Sequence, residues 1–474
     1  MPSRLLAPCL FILGLLGSSL LFFLYLYPSL STEPPPKVAQ RTSVVLITFD
    51  TMRSDHLSLH GYPRTTTPTL DSLARHAGVF NNAMSPIPLT YAAHVSILSG
   101  LEPANHGVLS NPDPIPAGIP MLPSILAARG YRTAAVVSGR TLHSRLTDLS
   151  QHFHHYEDSF RGEERNAELT TTTALKVLAT IYRDPFFLWV HYFDPHADYA
   201  PPRDAVSSYY PGHAPETFVL HSLIPGHEAR GLLFARPEFQ DRLIAQYDGE
   251  LAFADRWFGS LLDELVRRNL FEDLLLVVTA DHGEGLTERG GLFDHSEYLH
   301  HAALAVPLLV KPPRWHHSRR INQVVGLIDL APTILDYLEI EANPAMQGQS
   351  LRTLLEDNPS GWQELYYAKL FRGWENTPLQ QQTVAVRRRN EKAILTYLND
   401  NRTGSRRTMS EELYLLDLDP GETRDLAATQ PQLLTELRTL AEHWEAGRDH
   451  QLPREAPPLP PDEHERLRSL GYLQ

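Results

Sequence analysis

Two apolar runs of the same shape constrain the fold most, because each ends abruptly in an aspartate. The first is VVLITFD at Val44–Asp50, and the second, LLLVVTAD, opens the stretch Leu274–Glu284. A continuous apolar run is typical of a strand that is buried on both faces of a parallel sheet. The carboxyl ends of such strands lie along one edge, where open α/β sheets bind their ligands. We therefore expect Asp50 and Asp281 to meet at that edge.

Strand and helix patterns alternate from Val44 to about residue 350. The predicted strands are Val44–Phe49, Tyr131–Val137, Phe186–Phe193, Leu274–Ala280 and Val306–Lys311. The predicted helices are Pro68–Ala77, Ala92–Ser99, Met121–Arg129, Glu164–Ile181, Gln240–Arg268 and Asp329–Leu338. This alternation predicts an α/β fold with a large, mostly parallel sheet flanked by helices.

The pattern changes after about residue 350. Four short β-like runs and one helix follow, at Leu365–Lys369, Thr383–Arg387, Ala393–Leu398, Leu413–Asp417 and Gln432–Trp444. We expect a small C-terminal antiparallel sheet with a packing helix. The predicted boundaries are a catalytic domain over 43–350, a small α+β subdomain over 351–450 and a Pro-rich tail over 451–474.

The N-terminal segment from Leu5 to Tyr27 is apolar and carries no charge. It is long enough for a membrane-spanning helix. Arg4 precedes it and the first acid after it is Glu33, which predicts an N-terminus inside and an extracytoplasmic remainder, periplasmic or extracellular. Without a clear small-x-small cleavage site, an uncleaved membrane anchor over 1–30 is favoured over a removed signal segment. A Pro-rich linker over 31–42 follows.

Charge and cysteine usage exclude several classes of function. The 474 residues carry a formal net charge of -14, which argues against a nucleic-acid partner because phosphate binding needs a basic surface. The single cysteine, Cys9, lies in the predicted anchor. Neither a disulfide framework nor a Cys-based zinc site is therefore expected.

Thr90 opens the run TYAAHVSILSG, which ends at Gly100. A hydroxyl at neutral pH is a weak nucleophile unless a base or a metal activates it. Asp50, Asp281 and His282 offer the carboxylate and imidazole ligands that hard cations and zinc accept. Thr90 at a helix N-terminus above that edge would suit an anionic substrate. The local pattern of Thr90 by itself is that of an ordinary N-cap residue.

Longer motifs carry a family resemblance. They are ITFDTMRSDHLSLHGYPRTTTPTLDSLARHAGVFNNA, TYAAHVSILSGLEPANHGV, WVHYFDPHADYAPP, VVTADHGEGL and ELYLLDLDPGETRDLA. From about Ser43 to Ala427 the chain resembles the sulfatase family of the alkaline phosphatase superfamily. The resemblance implies the alkaline-phosphatase/sulfatase-like fold. It also implies that Asp50, Asp281 and His282 bind metal and that His196 is an active-site histidine.

The chain departs from the family pattern at several positions. Thr90 stands where the family has the cysteine that becomes formylglycine, so no formylglycine is expected here. The second aspartate of the first metal motif is Thr51, and the arginine of the nucleophile signature is His94. Ser138 and His295 stand where the resemblance predicts the two lysines that grip a sulfate.

Without the cysteine and the two lysines, the chain resembles the threonine-nucleophile branch of the superfamily. Enzymes of that branch attack phosphorus and commonly use zinc. The resemblance then implies Thr90, His196 and His295 as catalytic residues. The implied metal ligands are Asp50, Thr90, Asp281 and His282, with zinc favoured and calcium or manganese as alternatives. His196 and His295, with Asp194 or Asp198, would hold a second cation. His94 would touch the leaving group or lie on the helix face.

Several functions stay open on the sequence. The favoured one is a membrane-anchored, metal-dependent ester hydrolase that acts on a small-molecule, lipid or glycan phosphoester. The alternatives are a genuine sulfuric ester hydrolase, an envelope phosphotransferase, and an inactive sulfatase-like protein that binds glycans. Known phosphotransferases of that kind tend to carry several membrane spans, whereas one is predicted here.

Overall fold

The structure is a computed structural model that describes residues 41–111, 113–162, 164–202, 204–205, 209, 236–286, 288, 295–373 and 378–446. The described residues from Thr42 onward form one compact unit. The predicted anchor over 1–30, most of the linker and the Pro-rich tail lie outside the described residues. Among the helices that are described, none combines the length and the apolar character that crossing a membrane requires.

A large sheet of eight described strands forms the centre of the fold. In chain order the strands are β1 (Val44–Phe49), β2 (Gly78–Met84), β3 (Arg132–Val136), β4 (His155–Glu157), β5 (Phe186–Tyr192), β6 (Leu275–Ala280), β7 (Ala305–Lys311) and β8 (Arg319–Gly326). Their spatial order is β4-β3-β5-β1-β6-β7-β2-β8. Every described pairing is parallel except the two made by β7. The predicted mostly parallel sheet is confirmed.

The register of the central strands aligns their carboxyl ends. β1 lies between β5 and β6, and Phe49 pairs with Tyr192 on one side and with Ala280 on the other. All residues of these three strands are buried, which explains their continuous apolar runs. Asp50 and Asp281 are therefore the first residues beyond two neighbouring strands at the same level.

Helices cover the sheet, and most lie where the sequence predicts them. They are α1 (Pro68–Leu73), α2 (Thr90–Ser99), α3 (Pro103–His106), α4 (Leu122–Ala128), α5 (Ala167–Ile181), α6 (Pro237–Arg267), α7 (His301–Leu304), α8 (Leu330–Tyr337), α9 (Arg352–Leu355) and α10 (Pro431–Ala446). The predicted helix Pro68–Ala77 is shorter than expected. Its α-helical part ends at Leu73, and a 3₁₀ turn, Ala74–His76, leads into β2.

Three strands of the large sheet were not predicted. β2 contains Asn81 and Asn82 in its centre, and β8 begins with Arg319 and Arg320, so neither has the apolar run of a buried strand. Both lie at the end of the sheet, where polar side chains reach solvent: Asn81 and Asn82 hydrogen-bond Asn322 there. The third, β4, is only three residues long and forms the opposite edge.

A second sheet of four described strands follows in the chain. It comprises β9 (Leu365–Gly373), β10 (Leu379–Arg388), β11 (Glu391–Asp400) and β12 (Ser405–Leu415) in the order β12-β11-β10-β9. All its pairings are antiparallel. Leu434 and Leu437 of α10 pack with Val384 and Leu395 in a separate small hydrophobic cluster. The predicted C-terminal antiparallel sheet with a packing helix is confirmed.

Candidate active site

Two buried carboxylates form the floor of the site. The Asp50 amide donates to the carbonyl of Tyr192, and the Asp281 amide donates to the carbonyl of Phe49, so the backbone fixes both residues just beyond their strands. Both side chains are fully buried. Neither oxygen of Asp50 accepts a hydrogen bond from the described residues, and the same is true of Asp281 Oδ2.

Burial dominates the electrostatics of the two carboxylates. It raises the pKa of Asp50 from 3.8 to about 6, although the imidazoles of His196 and His295 lower it in part. Burial also raises the pKa of Asp281 well above its ordinary value, and the nearby Asp50 raises it further. Two anionic groups without solvent are costly unless a cation compensates them.

His282 completes a three-residue group with these carboxylates. Its Nδ1 lies 3.0 Å from the Gly283 carbonyl, which can only accept, so Nδ1 carries the proton. Burial lowers the pKa of His282 well below its ordinary value, and the ring is neutral. The lone pair of Nε2 then faces Asp281 Oδ2 at 3.5 Å and Asp50 Oδ1 at 3.8 Å.

These three groups fit a divalent cation. The facing atoms of Asp50, Asp281 and His282 are all acceptors, and they lie within 4.8 Å of one another. Acceptors that face each other in a buried space repel unless a cation lies among them. Two carboxylates and one neutral imidazole are a donor set that zinc accepts.

Thr90 lies at the N-terminus of α2, directly beside this group. Its Oγ1 is 3.4 Å from His282 Nε2. Every residue of α2 is buried, so the helix end faces the site and not bulk water. Leu89 precedes the helix without making a side-chain cap, and the Tyr91 amide in the first turn donates to Asn111 Oδ1 at 3.1 Å.

Two further imidazoles line the site above His282. The ring of His295 lies 4.4 Å from the ring of His282, and the ring of His196 lies 5.4 Å from that of His295. Nδ1 of His196 is 2.6 Å from the Ala197 carbonyl, and Nδ1 of His295 is 3.4 Å from Glu284 Oε1. In the neutral rings these contacts assign the proton to Nδ1 and leave Nε2 as the acceptor nitrogen. The structure thus brings the three predicted histidines together.

His94 lies within the buried helix α2, and the sequence had left open whether it touches the leaving group or lies on the helix face. It is fully buried, and its Nδ1 is 2.7 Å from the Thr90 carbonyl while its Nε2 is 2.9 Å from Thr48 Oγ1. Both ring nitrogens are engaged within the protein, so His94 does not reach a leaving group. Burial lowers the pKa of His94 well below its ordinary value, and the ring is neutral.

His191 and Thr51 are site neighbours that the sequence analysis did not assign. His191 Nε2 lies 3.4 Å from Asp50 Oδ2, and the Ser138 amide donates to His191 Nδ1 at 3.4 Å. The backbone amide of Thr51 donates to Asp281 Oδ1 at 3.3 Å from a left-handed conformation, with φ of 52°. A histidine near the end of an apolar strand, as in FFLWVHY, is the signal that could have identified His191.

Asp194, His300 and His301 make contacts with other parts of the molecule. Asp194 hydrogen-bonds Glu250, and burial raises the pKa of Asp194 to about 6. His300 Nε2 contacts Glu412 Oε2 at 2.9 Å, and the His301 amide donates to Glu422. His300 and His301 therefore connect the large sheet to the second sheet. The contact of Asp194 is with Glu250, which lies in α6.

Comparison with known proteins identifies the family. The family model described as Sulfatase matches residues 42–340, which cover both strand-end aspartates, Thr90 and the three histidines. A second model, described as N-sulphoglucosamine sulphohydrolase, C-terminal, matches residues 288–446. The chain belongs to the sulfatase family. The resemblance noted in the motifs is thereby confirmed.

Relatives of this sulfatase-family protein include enzymes with different printed activities. An arylsulfatase of Clostridium perfringens is 22% identical over 395 residues, covering 69% of this chain and 81% of the relative. The solved structure of a 2-O GAG sulfatase has a TM-score of 0.69 at 20% identity, covering 86% and 92% of the two chains. A phosphonate monoester hydrolase from Silicibacter pomeroyi has a TM-score of 0.66 at 20% identity, covering 87% and 96%. At these identities the structural likeness establishes the fold alone.

Family membership makes this protein a sulfatase-family hydrolase, and the family is metal-dependent. Two groups in the described part of the chain could hold a metal ion, His94 with His191 and Asp281, and Asp50 with Asp281 and His282, and the second comprises the residues that the family resemblance implies. The individual roles of Thr90, His196 and His295 stay predictions.

Proposed function

We propose that this protein is a metal-dependent hydrolase of phosphate esters that uses Thr90 as its nucleophile. One observation carries the proposal: Oγ1 of Thr90, at the N-terminus of α2, lies 3.4 Å from His282 Nε2 and beside the buried carboxylates of Asp50 and Asp281, where three of the four oxygens accept no hydrogen bond from the described residues. The only cysteine of the chain is Cys9, far from this position in the sequence, so an oxidised cysteine is no alternative.

Asp50, Asp281, His282 and Thr90 would hold the cation, with zinc favoured over calcium or manganese because an imidazole is among the ligands. When bound, the cation lowers the pKa of the hydroxyl and stabilises negative charge in the transition state. The positive end of the α2 dipole adds attraction for the anionic group of the substrate. Thr90 would thus lie next to both the cation and the N-terminus of α2, and each of these attracts an anionic phosphoryl group.

The reaction follows from the positions of the side chains. Thr90 Oγ1 gives up its proton to water and attacks phosphorus; a new P–O bond forms, and the bond to the leaving oxygen breaks with its electron pair. His196 and His295 lie next to His282 in the site, where a protonated ring would donate to the leaving oxygen. A water molecule then attacks the phosphothreonine, which releases phosphate and restores the Thr90 hydroxyl.

The second candidate is a genuine sulfuric ester hydrolase with the same nucleophile. The matching family model and the arylsulfatase of Clostridium perfringens favour it. Against it stand Ser138 and His295, which leave the expected lysine positions without a permanent positive charge. A threonine oxygen would then attack sulfur with less help in binding the sulfate.

We further propose a glycan or lipid ester as the natural substrate and an extracytoplasmic location for the site. The 2-O GAG sulfatase among the structural relatives supports a glycan ester. The uncharged run from Leu5 to Tyr27 supports a membrane anchor that holds the catalytic part close to the bilayer surface.

The test compares the full chain, solubilised in detergent and loaded with zinc, manganese or calcium, on aryl phosphate, bis-aryl phosphate and aryl sulfate. We expect phosphoester turnover that drops on the order of 10³-fold or more in Thr90→Ala and is partly retained in Thr90→Ser. Mass spectrometry of the quenched reaction should find phosphothreonine at residue 90. Sulfate turnover alone would favour the second candidate. Full activity of Thr90→Ala would contradict the nucleophile assignment.

A further inference from the structure

A chain of buried hydrogen bonds leads from the middle of the large sheet to the first residue of α2. Trp189 Nε1 is 2.9 Å from Thr48 Oγ1, Thr48 Oγ1 is 2.9 Å from His94 Nε2, and His94 Nδ1 is 2.7 Å from the Thr90 carbonyl. Thr48, Thr90 and His94 are at most 1% exposed, and Trp189 is fully buried. Water therefore cannot replace any of these bonds.

The two ends of this chain define its direction. An indole N–H can only donate, and a carbonyl oxygen can only accept. The neutral ring of His94 must therefore carry its proton on Nδ1, which donates to the Thr90 carbonyl. Its Nε2 then accepts the hydroxyl proton of Thr48, whose oxygen accepts from Trp189.

We propose that Trp189, Thr48 and His94 form a relay that positions the nucleophile by tethering the main chain of Thr90. This inference rests on the proposed role of Thr90. A helical carbonyl already accepts the amide four residues on, and the ring of His94 takes its second lone pair. The additional bond restrains the backbone of Thr90 and with it the direction of the hydroxyl.

The relay also determines what His94 presents to the metal centre. His94 Nδ1 lies 3.8 Å from Asp281 Oδ2, so the proton on this nitrogen faces a carboxylate oxygen. The opposite tautomer would turn a lone pair toward Asp281 and repel it. Contact with the Trp189 ring, at 4.9 Å between centroids, holds the imidazole in place. His94, Thr48 and Trp189 are positioning residues, because none of them lies where the reacting atoms would be.

The first test removes one hydroxyl and keeps the shape of the side chain. In Thr48→Val we expect kcat to fall about 10-fold or more with KM within about twofold, because a small misplacement of a reacting group costs up to about 10²-fold. Thr279→Val is the matched control. Thr279 pairs with Thr48 on the adjacent strand, is equally buried, and donates its hydroxyl proton to the Pro307 carbonyl, at 2.7 Å.

The two valine variants should lose similar thermal stability, but only Thr48→Val should lose turnover. Equal activity of both variants, or a loss in Thr48→Val that appears in KM alone, would overturn the relay. A further comparison uses His94→Gln, whose amide can still donate to the Thr90 carbonyl, and His94→Leu, which cannot. We expect His94→Gln to retain more kcat than His94→Leu, and the reverse order would contradict the proposal.

The second test needs no turnover and so separates the relay from the nucleophile assignment. In ¹⁵N-histidine-labelled protein, the ring signals of His94 are identified as those missing from His94→Gln. We expect the proton on Nδ1 in the wild type and also in Thr48→Val, where the Thr90 carbonyl still accepts it, while the Nε2 signal shifts in Thr48→Val because that nitrogen loses its donor. A proton on Nε2 in the wild type would refute the relay whatever the activity. If Thr90→Ala stays active while His94 has its proton on Nδ1, the nucleophile assignment fails and the relay is present.

Discussion

At the scale of single residues, the site depends on acceptors that face each other. Asp50 and Asp281 are buried at adjacent strand ends, and the neutral His282 turns a lone pair toward both. The arrangement is unfavourable by itself, because buried charges need partners. The metal-free protein therefore carries an electrostatic cost that a bound cation removes.

Because of this cost, we expect one substitution to preserve or raise the stability of the metal-free protein and to weaken its binding of zinc. Asp50→Asn removes one charge and keeps the shape, so we expect the metal-free variant to melt at or above the wild-type temperature. The same variant should bind zinc at least about 10-fold more weakly, since even indirect changes around a metal cost about 10- to 100-fold. Calorimetric titration and thermal melts with and without zinc measure both effects. A metal-free variant that melts well below wild type would argue against an unpaired charge at residue 50.

At the scale of elements, the site is assembled from ends: two strand ends and one helix N-terminus. The segment after β6 must pass close to α7 for His282 to face the carboxylates. The Gly283 amide donates to the Ala303 carbonyl there at 2.9 Å. A Cβ atom at residue 283 would lie 2.0 Å from the Ala302 carbonyl oxygen. Glycine is required because two backbone segments approach each other.

We therefore expect Gly283→Ala to lower the free energy of unfolding by about 1–3 kcal/mol, as overpacking generally does, and to weaken zinc binding. Gly373→Ala is the control, because no described atom lies within 4 Å of its Cβ position. Its effect on stability should stay within about 0.5 kcal/mol. Urea denaturation of both variants measures the difference, and equal stability would show that the loop can shift at no cost.

The contact between α2 and α3 predicts a pH dependence of stability. The Val108 amide donates to Nδ1 of His106, so His106 Nε2 donates to Ser96 Oγ at 2.9 Å. Burial lowers the pKa of His106 from 6.5 to about 3. The unfolded chain then binds a proton below pH 6.5 that the folded protein excludes. The stabilisation is complete above that pH and is lost as the pH falls toward 3.

His106→Gln removes this titration. The difference in unfolding free energy between wild type and variant should narrow by up to about 1.4 kcal/mol per pH unit between about pH 6.5 and about pH 4.5. Urea denaturation across that range, at constant ionic strength, measures it. A difference that is independent of pH would mean that His106 titrates normally in the folded protein.

At the scale of the whole molecule, the second sheet supports the loop that leads to Thr90. The Lys369 amide in β9 donates to the Pro86 carbonyl at 3.2 Å, four residues before Thr90. Arg387 in β10 donates to Asn82 Oδ1 in β2 at 2.7 Å. A buried ion pair between Lys392 and Glu422, at 2.7 Å, lies behind His301, whose amide also donates to Glu422.

Breaking this ion pair should destabilise the molecule as a unit. Lys392→Met leaves Glu422 as an uncompensated buried charge, and we expect a loss of about 3–5 kcal/mol. The double variant Lys392→Met with Glu422→Gln should recover part of that loss, because no charge is then left unpaired. Denaturation followed separately by tryptophan fluorescence and by circular dichroism measures it. If the double variant recovers none of the stability lost in Lys392→Met, the burial of an unpaired charge is not the cause of that loss.

The sequence by itself determined the α/β class, the second antiparallel sheet, and Asp50, Asp281, His282 and Thr90 as candidates. This was possible because buried parallel strands have apolar runs with clear ends, and polar residues directly after such ends must lie along one edge. The family motifs added His196 and His295. Strand β2 and the edge strand β8 were not predicted, because strands that contain asparagine or arginine lack that continuous apolar signal.

Only the tertiary structure decided which atoms face each other. The register between β1 and β6 brings Asp50 level with Asp281, and carbonyl contacts assign the protons of His282 and His94. His191 and Trp189 became neighbours of the site through strand pairing across more than a hundred residues. Distances and proton positions depend on long-range packing, which no local pattern of residues contains.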